Sequence, residues 1–154
     1  MRYAHDSINF LPIRMENKKI KNARKHTYND IEFKSSLEVT VYKTLLQEGF
    51  NPEYEPKTFI VWEGFKPTTP YYTRNRGKLK LNSIVVRDIT YTPDFIVEYG
   101  DKTIVIEVKG FCNEVFPIKR KMFRKYIEGK SSFMYFEIYS KRELLEAIKI
   151  IRNE

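Results

Sequence analysis

The stretch Tyr91–Gly110, YTPDFIVEYGDKTIVIEVKG, decides how this chain is read. Two runs, DFIVEY and KTIVIEVKG, flank the tight Gly100–Asp101 pair, the pattern of an antiparallel hairpin. Side chains alternate faces along a strand, so Glu107 and Lys109 project together while Ile104, Ile106 and Val108 point the other way. The first half of that second strand is apolar on both faces, which predicts burial. A carboxylate and an ammonium at the end of a buried strand are costly unless something pairs with them. Asp94, fixed behind Pro93, opens the neighbouring strand, and strands lie ~4.8 Å apart, so its carboxylate can approach Glu107. Two readings are open here. Glu107 and Lys109 form a same-face ion pair while Asp94 caps a turn; or Asp94 and Glu107 share a divalent cation and Lys109 faces the same phosphate or water. Oxygen ligands with few nitrogens select Mg²⁺, with Mn²⁺ able to substitute.

Outward from the hairpin, SSLEVTVYKTLLQEGF (Ser35–Phe50) predicts a helix. Ser35 and Glu38 form a capping box, Leu37, Val41, Leu45 and Leu46 make the apolar stripe, and Gly49 stops it. EPKTFIVWEGF and NSIVVRDITY (Asn82–Tyr91) predict strands around a Pro-, Gly- and Tyr-rich basic loop or hairpin excursion at 66–80. FPIKRKMFRKYIEG predicts a basic helix with Pro117 in its first turn, SFMYFEIYS a strand, and SKRELLEAIKIIRNE a last helix capped by Ser140 and Glu143. Residues 1–30 show no period and are read as a basic arm or lead-in. That leaves a single domain over 31–154 with a basic loop insertion near 64–82. The order of elements predicts an α/β fold with a mixed sheet flanked by helices.

The 154-residue length suits one domain, and 42% hydrophobic with 31% charged residues is the composition of an ordinary folded protein. No apolar run approaches the ~18 residues of a membrane span, and the first residues lack the pattern of a signal peptide. One cysteine excludes an intrachain disulfide and, with two histidines, argues against structural zinc; an intracellular protein is expected. Cys112 has no histidine near it in sequence and is not expected to act as a nucleophile. The net charge of +8 is gathered in three clusters, Arg14–Lys25, Lys66–Lys80 and Lys119–Lys125. Such clusters fit a polyanion, nucleic acid above all, as well as a solvated surface. The candidates for phosphate contact are Arg74, Arg76 and Lys78 in the excursion, and Lys119, Arg120, Arg124 and Lys125 in the basic helix. Trp62, Tyr71 and Tyr72 suit base stacking, although core packing is the stronger expectation for Trp62.

The fragments TPDF and IVIEVKG resemble the PD-(D/E)XK nuclease superfamily, with Asp94, Glu107 and Lys109 at its three motif positions. Together with FKSSLEVTVYKTLLQEG and NEVFPIKRKMFRKY, they also resemble a phage and prophage family catalogued without a function. The helix-then-hairpin plan is similar to phage endonuclease I junction resolvases and to transposon end-cleaving nucleases. The resemblance spans roughly residues 23–150 and is least at 64–82. It implies a restriction-endonuclease-like fold and a Mg²⁺-dependent DNA endonuclease that leaves a 5′-phosphate and a 3′-hydroxyl. Asp94, Glu107, the Val108 carbonyl and Glu38 would hold metal, Lys109 would orient or activate water, and Lys119 would stand near the metal. Glu38 has its capping box as the competing role, and Glu114 is a supporting group or a simple loop acid. The implied setting is phage recombination or replication in the bacterial cytoplasm. The substrate would be branched DNA such as a Holliday junction, cut by a homodimer because symmetric nicking needs two sites. A non-catalytic DNA-binding accessory protein and a transposase or packaging nuclease subunit are the alternatives.

Overall fold

Residues 25–110 and 116–153 are described by the computed structural model. In chain order they form β1 (His26–Tyr28), β2 (Ile31–Phe33), α1 (Ser36–Gln47), β3 (Glu53–Tyr54), β4 (Phe59–Trp62), β5 (Tyr72–Asn75) and β6 (Lys78–Leu81). There follow β7 (Ile89–Tyr91), β8 (Phe95–Tyr99), β9 (Lys102–Val108), α2 (Phe116–Ile127), β10 (Phe133–Ile138) and α3 (Lys141–Asn153). The main sheet is mixed, in the order β10-β9-β8-β3, with β9 parallel to β10 and antiparallel to β8. Three two-stranded ribbons accompany it: β1-β2, β4-β7 and β5-β6.

The sheet is covered on both faces, which is why β9 reads as a nearly continuous apolar run. On one face Phe95, Val97, Ile104, Ile106 and Val108 cluster with Val41 and Leu45 of α1 and Leu144 and Ile148 of α3. On the other, Ile96 and Val105 cluster with Phe59, Tyr91, and Phe116 and Phe123 of α2. Helices therefore flank a mixed sheet in three layers, as the α/β reading expects. Among the described residues, no helix is long and apolar enough to cross a membrane.

The helix signals act as read. Ser35 is the N-cap of α1 and accepts from the Glu38 N–H at 3.2 Å. Gly49, at φ 82°, ends the helix by donating to the Leu46 carbonyl while Phe50 donates to that of Leu45, a Schellman close. Ser140 accepts from the Glu143 N–H at 3.3 Å, and the Glu143 carboxylate accepts from the Tyr139 N–H at 2.6 Å.

Two segments differ from the sequence reading and a third resolves it. Residues 26–30, assigned to the lead-in, belong to the β1-β2 hairpin, whose Asn29–Asp30 turn takes φ 49° and 61°. That ribbon caps the core through Phe33, fully buried and 4.6 Å ring-to-ring from Tyr54. The strand expected over Asn82–Tyr91 shortens to Ile89–Tyr91, because Ile84 and Val85 lie exposed and pair with nothing in a sheet. An isolated Phe65–Val86 bridge closes this region. Gly64 makes it possible, since a Cβ there would stand 2.2 Å from the Val86 carbonyl oxygen. The excursion at 66–80, read as a loop or hairpin, is a hairpin, the β5-β6 ribbon, exposed along nearly its whole length. Residues 1–24 of the proposed arm, with Cys112 and Glu114, lie outside the described residues.

Candidate active site

The register of the central hairpin builds the site. Phe95 faces Ile106, so one step further along the pair sets Asp94 beside Glu107, on the α2 side of the sheet. Asp94 then bends to the end of β9, where its Oδ2 accepts the Val108 N–H at 2.7 Å. Glu107 is 5% exposed. Its Oε1 lies 2.5 Å from the Lys109 Nζ, and its Oε2 accepts from the Tyr91 hydroxyl at 2.5 Å. The Tyr135 hydroxyl stands 3.4 Å behind that of Tyr91. Lys109 is held from above by the Phe116 ring, with the ammonium 3.5 Å from the ring centroid, a cation–π contact.

Glu38 enters from the first turn of α1. It is buried, and its carboxylate accepts from the Lys34 N–H at 2.9 Å, the Ser35 hydroxyl at 2.8 Å and the Tyr54 hydroxyl at 2.7 Å. Lys34 itself pairs with Glu55. A cleft of about 480 Å³ joins these elements, lined by Lys34, Glu38, Asp94, Glu107, Lys109 and Lys119 among others.

Electrostatics in the cleft are those of crowded carboxylates. Burial first, and Glu107 second, push the Asp94 carboxyl up to about 7; Glu38 adds to the effect, while the Val108 N–H and Lys109 oppose it. Burial, reinforced by Glu107, also drives the Tyr91 hydroxyl upward, and burial with the Glu38 contact does the same to Tyr54. Both tyrosines are therefore fixed donors to their carboxylates at any physiological pH.

A family described as "Protein of unknown function (DUF1064)" matches residues 18–142. The chain belongs to that DUF1064 family. Neither the curated proteins nor the solved structures give a match. The DUF1064 match takes in the entire cleft, from Lys34 to Lys119, and the β5-β6 ribbon; it stops just inside α3.

Of the residues singled out in the sequence, Asp94, Glu107, Val108, Lys109, Glu38 and Lys119 all line this one cleft. Arg120 is drawn aside, its guanidinium 3.0 Å from Glu137. Arg124 and Lys125 are exposed on α2, and Arg74, Arg76 and Lys78 are exposed on the ribbon and its turn. Sequence reasoning missed Lys34 and Tyr91. Tyr91 carried a usable signal, because Pro93 and Asp94 already marked the strand end beside it; Lys34 carried none. Among the described residues no three or more Asp, Glu, His or Cys side chains are gathered closely enough to enclose a metal. The cleft instead offers two neighbouring carboxylates, Asp94 and Glu107, a pair of the kind that takes a hard cation also held by water and phosphate.

Proposed function

We propose that this DUF1064 protein is a divalent-metal-dependent endodeoxyribonuclease of the PD-(D/E)XK type. The observation that carries the proposal is the meeting of Asp94, Glu107 and Lys109 at the end of β9, in one cleft, with the two carboxylates close enough for Glu107 to raise Asp94. Mg²⁺ fits that pair, since it is satisfied by one or two carboxylates and fills its remaining positions with water and substrate oxygens. When bound, the cation supplies Lewis-acid polarisation of the phosphoryl oxygen. Asp94 and Glu107 would hold it, with the Val108 carbonyl beside them. Glu38, whose oxygens are engaged by Lys34, Ser35 and Tyr54, would act through its charge or complete the oxygen set.

The protein's own groups would then arrange an in-line displacement. Lys109 would orient the attacking water and neutralise charge gathering on the phosphate. Tyr91 holds the far oxygen of Glu107, so that carboxylate is already aimed. Lys34 and Lys119 would meet the phosphates on either side of the cut. Water forms the new P–O bond as the P–O3′ bond breaks, leaving a 5′-phosphate and a 3′-hydroxyl. The ribbon cations Arg74, Arg76 and Lys78, with Arg124 and Lys125, would bind backbone rather than bases, which suits branched DNA such as a four-way junction cut by a homodimer in phage recombination.

A second reading, a DNA-binding accessory protein without turnover, is favoured by the Glu107–Lys109 ion pair, which neutralises two of the three key groups. Incubation with Mg²⁺ and matched linear, flapped and four-way-junction DNA separates the two. Cutting that disappears in Glu107→Ala and Asp94→Ala while DNA binding persists supports the nuclease. Binding with no cutting in Mg²⁺ or Mn²⁺ supports the accessory protein. Equal cutting of linear and junction DNA removes only the junction preference.

A further inference from the structure

A second recess, of about 390 Å³, lies between β4 and α2, lined by Val61, Trp62, Lys121, Met122, Lys125 and Tyr126. We propose that it seats one unpaired nucleotide of the DNA strand whose phosphate occupies the Asp94–Glu107 cleft. The inference rests on the nuclease reading and narrows its substrate to DNA with unpaired bases beside the cut.

The lining divides into the two parts a nucleotide needs. Trp62 is 38% exposed, where a core tryptophan would be covered, and Phe65 holds it edge-on at 5.6 Å. Tyr126 lines it as well and is fixed in place: its ring lies at 16° to that of Phe123, and the Lys130 ammonium sits 3.5 Å from its centroid. Val61 and Met122 provide an apolar floor, while Lys121 and Lys125 bring two positive charges and no acidic side chain lines the recess. An aromatic surface for a base beside cations for its phosphate is the common arrangement of single-strand binding sites. The volume falls within the range of sites that take small ligands, a nucleotide included.

Its position along α2 ties it to the cleft. Lys119 lines the cleft, and Met122, three residues on and on the same side of the helix, lines the recess. At ~1.5 Å rise per residue, Met122 and Tyr126 lie about 5–10 Å further along the axis, which is one to three nucleotides at about 3.4 Å each. A base paired and stacked within a duplex has no free face to offer Trp62. A flap, a junction crossover or a frayed end does.

The chain has a single tryptophan, so its fluorescence reports on this recess alone. The test titrates the full chain in EDTA with a labelled blunt duplex and with the same duplex carrying a single-stranded flap, following DNA anisotropy and tryptophan emission together. The expected result is marked quenching by the flapped DNA and little by the blunt duplex at equal bound fraction. Quenching should vanish when one position of the flap near the junction is made abasic. Trp62→Ala should weaken flap binding about tenfold and leave duplex binding within twofold, with Trp62→Phe recovering most of the loss. Equal quenching by both DNAs, no quenching by any bound DNA, or unchanged flap affinity in Trp62→Ala overturns the proposal. The abasic scan decides the matter if Trp62→Ala does not fold. Mg²⁺-dependent cleavage lost in Glu107→Ala beside a silent Trp62 sinks the recess alone. Flap-selective quenching without any cleavage keeps the recess and sinks the nuclease.

Discussion

Asp94 is held in a position that opposes its own ionisation. Its carboxyl is raised from an ordinary 3.8 to about 7 by burial and by Glu107, so between those values the folded chain binds a proton that the unfolded chain releases. The contribution to stability is full below about pH 4 and is lost as the pH rises through 7, on the order of 2–4 kcal/mol. Without metal, the melting temperature should fall across that window, by roughly 5–10 °C. Asp94→Asn keeps an oxygen for the Val108 N–H and should flatten the curve, so that the variant is the more stable protein at pH 8. Mg²⁺ at pH 8 should raise the melting temperature of the wild type and leave that of Asp94→Asn unmoved; calorimetry at pH 4 and pH 8 checks both. Lys109 meets the converse situation. Lys109→Met leaves the buried Glu107 with Tyr91 as its hydrogen-bond donor and Asp94 as a like-charged neighbour, at a cost of about 3 kcal/mol, whereas adding Glu107→Gln should restore most of that loss. Urea unfolding of the two single variants and the double variant measures the coupling. The strand parity that brings Glu107 and Lys109 together is legible in the sequence, because it follows from a period of two. Tyr91 as the partner of Glu107 is a tertiary fact: it depends on β7 crossing the α2 side of the sheet.

At the scale of elements, the β5-β6 ribbon stands out for what does not cover it. Its register puts Tyr72, Leu81, Arg74 and Leu79 on one face and Thr73, Lys80, Asn75 and Lys78 on the other, and Leu79 is 75% exposed. Under the DNA-binding proposal, replacing Arg74, Arg76 and Lys78 together by alanine should lower duplex affinity. It should also reduce the slope of log affinity against log salt by about 3, with stability within about 0.5 kcal/mol of wild type. An unchanged slope in anisotropy titrations at several salt concentrations would remove these residues from the interface. The Pro and Gly residues mark this excursion in the sequence. Asn82–Tyr91 misleads because Ile84, Val85 and Val86 have the composition of a buried strand, and composition does not reveal that all three stay at the surface at the foot of a ribbon. The β1-β2 hairpin escapes for a different reason: three-residue strands are too short to display alternation, and only the Asn29–Asp30 turn marks them.

Across the whole molecule, the order of helices and strands was enough to expect a mixed sheet between helices, since each amphipathic element needs a partner layer. The partition into two cores was not legible, because it depends on which face each strand turns toward which helix. β9 lies at the centre of that partition, paired on both edges and packed on both faces. Its amides at Ile104–Ile106 should exchange with solvent only on global unfolding, those of β5 and β6 many orders of magnitude faster; native-state hydrogen exchange read by mass spectrometry tests the ranking. The parallel pairing of β9 with β10 also has a consequence in time. β8 and β9 leave the ribosome as a hairpin, but the second neighbour of β9 arrives only after α2 has been made, some thirty residues later. Until then the strand that carries Glu107 and Lys109 has an open edge, with no Tyr135 behind Tyr91. The cleft is thus completed by vectorial synthesis: a chain stopped before β10 would display its carboxylates on an unfinished sheet prone to pairing with other chains.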